Sequence, residues 1–129
     1  MEFHHVGIAC SDIEQMKQYM NQLYDIIDIS ETIYDRQQEA ELCMMTLRGG
    51  MQIELVSGKI VDKMVKKRQF LYHTCYRTKN VRKKVQEFEQ LGAKLISEPK
   101  AAVLFGMKKV VFLMTKLGLV ELLEDTESI

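Results

Sequence analysis

Four side chains of metal-binding type recur in this sequence at matching distances. His5 and His73 stand 68 positions apart (73 − 5), and Glu54 and Glu121 stand 67 apart (121 − 54). Imidazole nitrogens with carboxylate oxygens suit one borderline divalent ion per chain, Zn, Ni, Co, Mn or Fe(II), and the donor set selects none of these over the others. Four protein ligands leave about two positions of an octahedral field open for a carbonyl and a neighbouring oxygen of a substrate. A cation there acts as a Lewis acid when a proton leaves the carbon beside the carbonyl, and an adjacent carboxylate is placed to take that proton. A lone strand histidine or glutamate is usually an ordinary hydrogen-bonded or solvent-facing residue. Two of the chain's three histidines at matched sites are the reason to read the four together.

The elements around these residues repeat. Residues 3–9, Phe-His-His-Val-Gly-Ile-Ala, read as a strand. Ser11-Asp12-Ile13-Glu14 has the form of a capping box, a hydroxyl for an orphan amide and a glutamate three residues on. Ile13, Met16, Met20, Leu23 and Tyr24 follow at helical spacing. Extended segments are expected near 28–34, 41–48 and 51–57, with Gly49-Gly50 supplying the positive φ of a tight hairpin. The second half replays this order. Residues 70–77 read as a strand, Asn80 as a cap, and Val81, Val85, Phe88 and Leu91 as a helical stripe closed by Gly92. Residues 94–97, 107–115 and 118–124 are then extended, with Gly118 at the last hairpin. Ile13, Met20 and Leu23 each stand 68 positions before Val81, Phe88 and Leu91.

The chain thus reads as one α+β domain, 1–129, built from two βαβββ modules, 1–57 and 70–125, joined by 58–69. In the joining segment Ile60, Val61, Met64 and Val65 spell a short amphipathic helix with Lys63, Lys66, Lys67 and Arg68 turned outward. Pro99, the only proline, falls in the second module's long loop. His5 and His73 then sit on the first strands of their modules, and Glu54 and Glu121 on the last. A local two-fold axis between the modules would bring all four to one point. Strand alternation agrees: Met51, Ile53 and Leu55 share a face suited to packing under a helix, which turns Gln52 and Glu54 the other way. Glu121 is a lone carboxylate in Leu119-Val120-Glu121-Leu122-Leu123, where an uncompensated charge costs several kcal/mol and a cation resolves the cost. His4 is expected on the opposite face from His5, with no role.

Composition narrows the class. Lys+Arg and Asp+Glu balance at 18 each, which argues against nucleic acid as the main partner. The balance hides an asymmetry: residues 1–64 carry 5 basic and 11 acidic side chains, residues 65–129 carry 13 and 7. A basic second half suits an anionic ligand or simply a solvated surface. Cys10, Cys43 and Cys75 are odd in number, far apart and set in apolar stretches, as buried free thiols are in a reducing compartment. The start lacks the pattern of a signal peptide, and no apolar run approaches membrane-spanning length. The expectation is a soluble cytoplasmic protein with no membrane partner.

These residues also carry a family resemblance. His5-Val6-Gly7-Ile8-Ala9 with Ser11-Asp12, Gln52-Ile53-Glu54-Leu55, Tyr72-His73-Thr74-Cys75 and Gly118-Leu119-Val120-Glu121-Leu122-Leu123-Glu124 stand in order and spacing over nearly the whole chain. In this the sequence resembles the vicinal oxygen chelate superfamily of glyoxalase I, methylmalonyl-CoA epimerase, fosfomycin-resistance proteins and extradiol dioxygenases. The resemblance implies two βαβββ modules whose mixed sheets curl around a metal-binding cleft, helices outside, with His5, Glu54, His73 and Glu121 as ligands. It is nearest in motifs to methylmalonyl-CoA epimerase, so it implies a metal-dependent isomerase or epimerase acting on a small acyl substrate, such as a thioester. Glyoxalase-like lyase activity and non-catalytic small-molecule binding are the alternatives. A ligand glutamate serves as base in relatives, which makes Glu121 the first choice and Glu54 the second. Glu41 resembles a non-ligand glutamate of the epimerases only loosely and reads as surface. Where those epimerases carry Ala-His-Gly, this chain has Leu104-Phe105-Gly106, a phenyl ring in place of a polar group. A homodimer is the expected assembly.

Overall fold

The computed structural model describes residues 1–127, with ten strands and three α-helices among them. They run β1 (Glu2–Ala9), α1 (Ile13–Leu23), β2 (Ile26–Ile29), β3 (Ile33–Asp35), β4 (Ala40–Leu47), β5 (Gln52–Gly58) and α2 (Lys59–Lys66). The second half runs β6 (Leu71–Thr78), α3 (Val81–Gln90), β7 (Lys94–Leu95), β8 (Lys100–Ala102), β9 (Lys108–Thr115) and β10 (Gly118–Glu124). The fold is α+β, as expected. Two compact units divide the chain: His5–Tyr72, called here the N-terminal unit, and Met1–His4 with His73 onward, the C-terminal unit. The first four residues count with the C-terminal unit for a physical reason. Phe3 sets its ring edge on Tyr76, and Glu2 pairs with Arg77.

The N-terminal unit packs α1 on a mixed sheet. β1 pairs with β5 in parallel, β4 pairs with β5 antiparallel, and β2 and β3 both pair antiparallel with β4. Helix α1 starts one residue later than the Ser11 reading implies. Asp12 is the cap, its carboxylate accepting the Gln15 N–H at 2.9 Å. Aspartate is the stronger acceptor at the positive end of the helix. Asp12→Ala should therefore destabilise the fold by about 1 kcal/mol, read as a lower urea midpoint, while Ser11→Ala leaves the midpoint near the parent value. Ile13 and Met20 lock into a cluster with Cys10, Cys43, Met45, Ile53 and Leu55. Burial of each large aliphatic side chain there contributes about 1.5–3 kcal/mol. Leu23 and Tyr24 of the expected stripe are instead exposed, at 54% and 51%. The helix ends at Leu23, so they lie beyond the sheet it covers.

The C-terminal unit repeats the plan. β6 pairs with β10 in parallel, β10 with β9 antiparallel, and β7 and β8 both pair with β9. Asn80 caps α3 by accepting the Lys83 N–H at 3.0 Å, as its position predicts. Val81, Val111, Leu113, Val120 and Leu122 form the buried cluster under this helix, with Val85 and Phe88 against it. Leu91 is 83% exposed, because it is the residue at which the helix stops. The segment 58–69 does form a short helix, α2, with Val61 buried and Lys63, Lys66, Lys67 and Arg68 exposed. Among the described residues no helix is long and apolar enough to cross a membrane. The three cysteines are free and buried. Burial, with Asp12 nearby, pushes the Cys10 thiol up to about 11, so it stays protonated at neutral pH.

Candidate metal centre

Each unit carries one buried histidine–glutamate pair, and the same register makes both. In the N-terminal unit Gly7 lies directly opposite Glu54 across the parallel β1/β5 ladder. His5, two residues earlier on β1, shares that face, and Gly7 puts no side chain between them. His5 Nε2 lies 3.5 Å from Glu54 Oε1. The flanking Ile53 and Leu55 point the other way, into the cluster under α1. Burial is nearly complete, with His5 at 0% and Glu54 at 4% exposure.

In the C-terminal unit Cys75 takes the place of Gly7, lying directly opposite Glu121 on the β6/β10 ladder. His73, again two residues earlier, places Nε2 3.2 Å from Glu121 Oε1. Both residues are buried, and Val120 and Leu122 on either side of Glu121 pack under α3. Phe112 is directly opposite Glu121 on β9, and its ring meets the His73 ring edge to face at 5.4 Å. That contact fixes the plane of the imidazole. Neither Phe112 nor Cys75 stands out in the sequence as a site residue. The signal for both lies in register: each is the residue that pairs with Glu121.

The donor chemistry fits a cation. Two donor atoms each about 2.1 Å from one ion, at angles of about 90–110°, stand about 3.0–3.5 Å apart. The separations of 3.2 and 3.5 Å within the two pairs match that spacing. A carboxylate buried this deeply needs a compensating positive charge or a proton, and an ion beside an imidazole supplies the former.

Two other sequence candidates come out differently. His4 does not follow simple alternation. Its ring meets Phe105 edge to face at 5.3 Å, and Phe105 packs against Cys75, Ala102, Val110 and Leu123. Cys75 and Leu123 are in phase with His73 and Glu121, so His4 reaches the side of the C-terminal unit that carries that pair. Glu41 is exposed, opposite Ser57, and in phase with Cys43 and Met45, which pack under α1. It therefore lies on the sheet face opposite to Glu54.

Comparison with known proteins agrees with this architecture. The structure aligns with a methylmalonyl-CoA epimerase from Mycobacterium tuberculosis at 19% identity and TM-score 0.80, over 95% of this chain and 87% of that one. It aligns with a methylmalonyl-CoA epimerase from Streptomyces coelicolor at 20% identity and TM-score 0.80, over 98% and 96%. Glyoxalase I from Zea mays aligns at 17% identity and TM-score 0.71, over 99% of this chain and 44% of that one. At such identities the likeness is one of fold. No curated protein sequence matches the chain. The family model for the Glyoxalase/Bleomycin resistance protein/Dioxygenase superfamily matches residues 4–112, a span that holds His5, Glu54 and His73 and stops short of Glu121. The chain belongs to that superfamily.

Proposed function

We propose that His5, Glu54, His73 and Glu121 hold one divalent metal ion per chain, and that the protein is an isomerase or epimerase. Its substrate is a small acyl compound, carried as a thioester, that loses and regains a proton beside its carbonyl. One observation carries the reading: a buried His/Glu pair stands at the same register position in each of two similar units. When bound, the metal supplies Lewis acidity toward the carbonyl oxygen. The remaining work falls to the chain's own groups. Glu121 accepts the proton at a carboxylate oxygen and returns it, while Glu54 is the second candidate for that role. Phe112 holds the His73 ring in place and, with Leu123, keeps the surroundings of Glu121 apolar, which strengthens local electrostatics. The Streptomyces coelicolor relative was solved in complex with 2-nitronate-propionyl-CoA, an acyl-CoA, which supports a thioester as the substrate class. A homodimer in a reducing cytoplasm completes the reading, in keeping with three free thiols.

Elemental analysis of protein purified without chelator should find about one divalent ion per chain. His5→Ala and His73→Ala should each bring occupancy far down, whereas His4→Ala should leave it near the parent value. Equal retention in all three variants would remove His5 and His73 from the ligand set. The reaction is tested by metal-dependent exchange of the α-proton with deuterated water, first on branched acyl-CoA and 2-hydroxyacyl thioesters. Tight binding without exchange or turnover in metal-replete protein would point to sequestration instead.

A further inference from the structure

We propose that the C-terminal unit holds a second metal site, a His4/Cys75 pair for a soft monovalent cation such as Cu(I). The start of β1 and the middle of β6 build the pair. Glu2 pairs with Arg77, and the Phe3 ring meets the Tyr76 ring edge to face at 5.6 Å. Each step forward on β1 is thus a step back on β6, as between antiparallel segments in steady register. The next step sets His4 opposite Cys75. Residues directly opposed in this way share a face. Phe3 and Tyr76 take the α3 side, where Tyr76 packs under the helix, so His4 and Cys75 take the other. A separate observation agrees: a His4 ring nitrogen and the Cys75 sulfur lie within 4.8 Å of each other.

Donor type and surroundings select the ion. A thiolate with an imidazole favours soft copper over hard cations, and Cu(I) is content with two ligands in a line. Bonds of about 2.3 Å to sulfur and about 2.0 Å to nitrogen span about 4.3 Å end to end, within the observed limit. Cys75 is fully buried among Ala102, Val110, Leu123 and Phe105, where a net charge is costly. As the sulfur–copper bond forms, the thiol proton leaves to water. The thiolate and a single positive charge then cancel, with His4 as a neutral donor, whereas a divalent ion would leave one charge uncompensated. The Phe105 ring, edge to face with His4 at 5.3 Å, holds the imidazole in place. Cys43 is the contrast: its sulfur meets the Ser30 hydroxyl at 3.8 Å and the Ser30 carbonyl at 3.4 Å, and neither is a soft donor.

The test offers Cu(I), as its bicinchoninate complex, to the full-length protein as purified, under anaerobic conditions. The protein should withdraw about one Cu(I) per chain, with a sulfur and a nitrogen neighbour in copper X-ray absorption. Cys75→Ser and His4→Gln should each weaken uptake by at least about tenfold, while Cys43→Ser keeps it. His4 is only partly buried, so His4→Gln folds even if Cys75→Ser does not. His4→Gln should also keep its divalent ion, which separates this site from the proposed metal centre. Loss of both ions together would make His4 part of that centre and overturn the second site. Copper that follows Cys43, parent affinity in His4→Gln, or no withdrawal of Cu(I) would overturn it as well. A chain that takes Cu(I) through His4 and Cys75 yet binds no divalent ion would uphold this site and sink the divalent proposal alone.

Discussion

Glu121→Gln should keep most of its metal and lose α-proton exchange by at least about 100-fold, the usual effect of removing a positioned base. The substitution retains shape and one oxygen donor, but an amide is a far poorer proton acceptor than a carboxylate. The glutamine oxygen remains a donor beside three unaltered groups, unlike an alanine, so occupancy measured by elemental analysis should fall little. The fold should also hold. The new amide would still face Cys75 and Phe112 across the two ladders, and the helix-side neighbours Val120 and Leu122 are unaltered. Glu54→Gln separates ligand from base. It should cost less than Glu121→Gln if Glu54 is only a ligand, and about as much if two carboxylates act in an epimerisation. Parent-rate exchange in a metal-loaded Glu121→Gln protein would remove Glu121 as the base and move attention to Glu54. Glu41 is no substitute, because it lies exposed on the α1 side of its sheet.

Much of this arrangement was legible because it repeats. Residues 68 positions apart, Ile13 with Val81 and Met20 with Phe88, sit on equivalent helices. The alternation around Ile53 and Leu55 correctly turned Glu54 away from α1. What failed to show were features that depend on contacts across sequence. The stretch expected as one segment near 28–34 is two strands, β2 and β3, broken at Ser30. There the Ser30 N–H reaches the Met44 carbonyl, and its hydroxyl accepts the Met44 N–H, both satisfied by a neighbouring strand. β8 was missed for the same reason: three residues, Lys-Ala-Ala, have little strand character, and pairing with β9 alone makes them extended. Leu23, Tyr24 and Leu91 fit a helical stripe by spacing, yet spacing cannot say where the covered sheet ends.

His4 shows the same limit at the site. Period-two alternation assigns a face, but the His4 ring meets Phe105, more than a hundred residues away in sequence. The two histidine–glutamate pairs, by contrast, rest on register alone. In each unit the residue after next from the histidine is the direct partner of the glutamate, Gly7 for Glu54 and Cys75 for Glu121. Parallel pairing of the first and last strands is what converts a sequence repeat into a repeated histidine–glutamate pair.

That dependence makes the end of β5 sensitive, and Gly58→Ala should be among the most damaging substitutions in the N-terminal unit. Gly58 closes β5 and opens α2 with φ of 139° and ψ of 179°, a conformation that is essentially glycine's alone. Holding an alanine there costs about 1–3 kcal/mol in backbone strain. Space is short as well. An added Cβ would stand 2.8 Å from the Glu39 carbonyl oxygen and 3.1 Å from Ala40 Cα, both backbone atoms that cannot swing aside. Relief requires the 39–40 segment to move, and Ala40 is 1% exposed at the start of β4, paired directly with Gly58. The total should reach about 3 kcal/mol or more once that displacement is added to the strain. Gly50→Ala is the control, with a φ of 99° and open space around its Cβ, and should lose only about 1–2 kcal/mol. Urea unfolding of the two variants measures the difference. Because β4 and β5 run in register from Ala40–Gly58 to Met44–Glu54, the shift should also loosen Glu54 and lower metal occupancy in Gly58→Ala alone. Equal stability losses in the two variants would show that the Glu39–Ala40 backbone gives way freely, and then Glu54 should keep its metal in both.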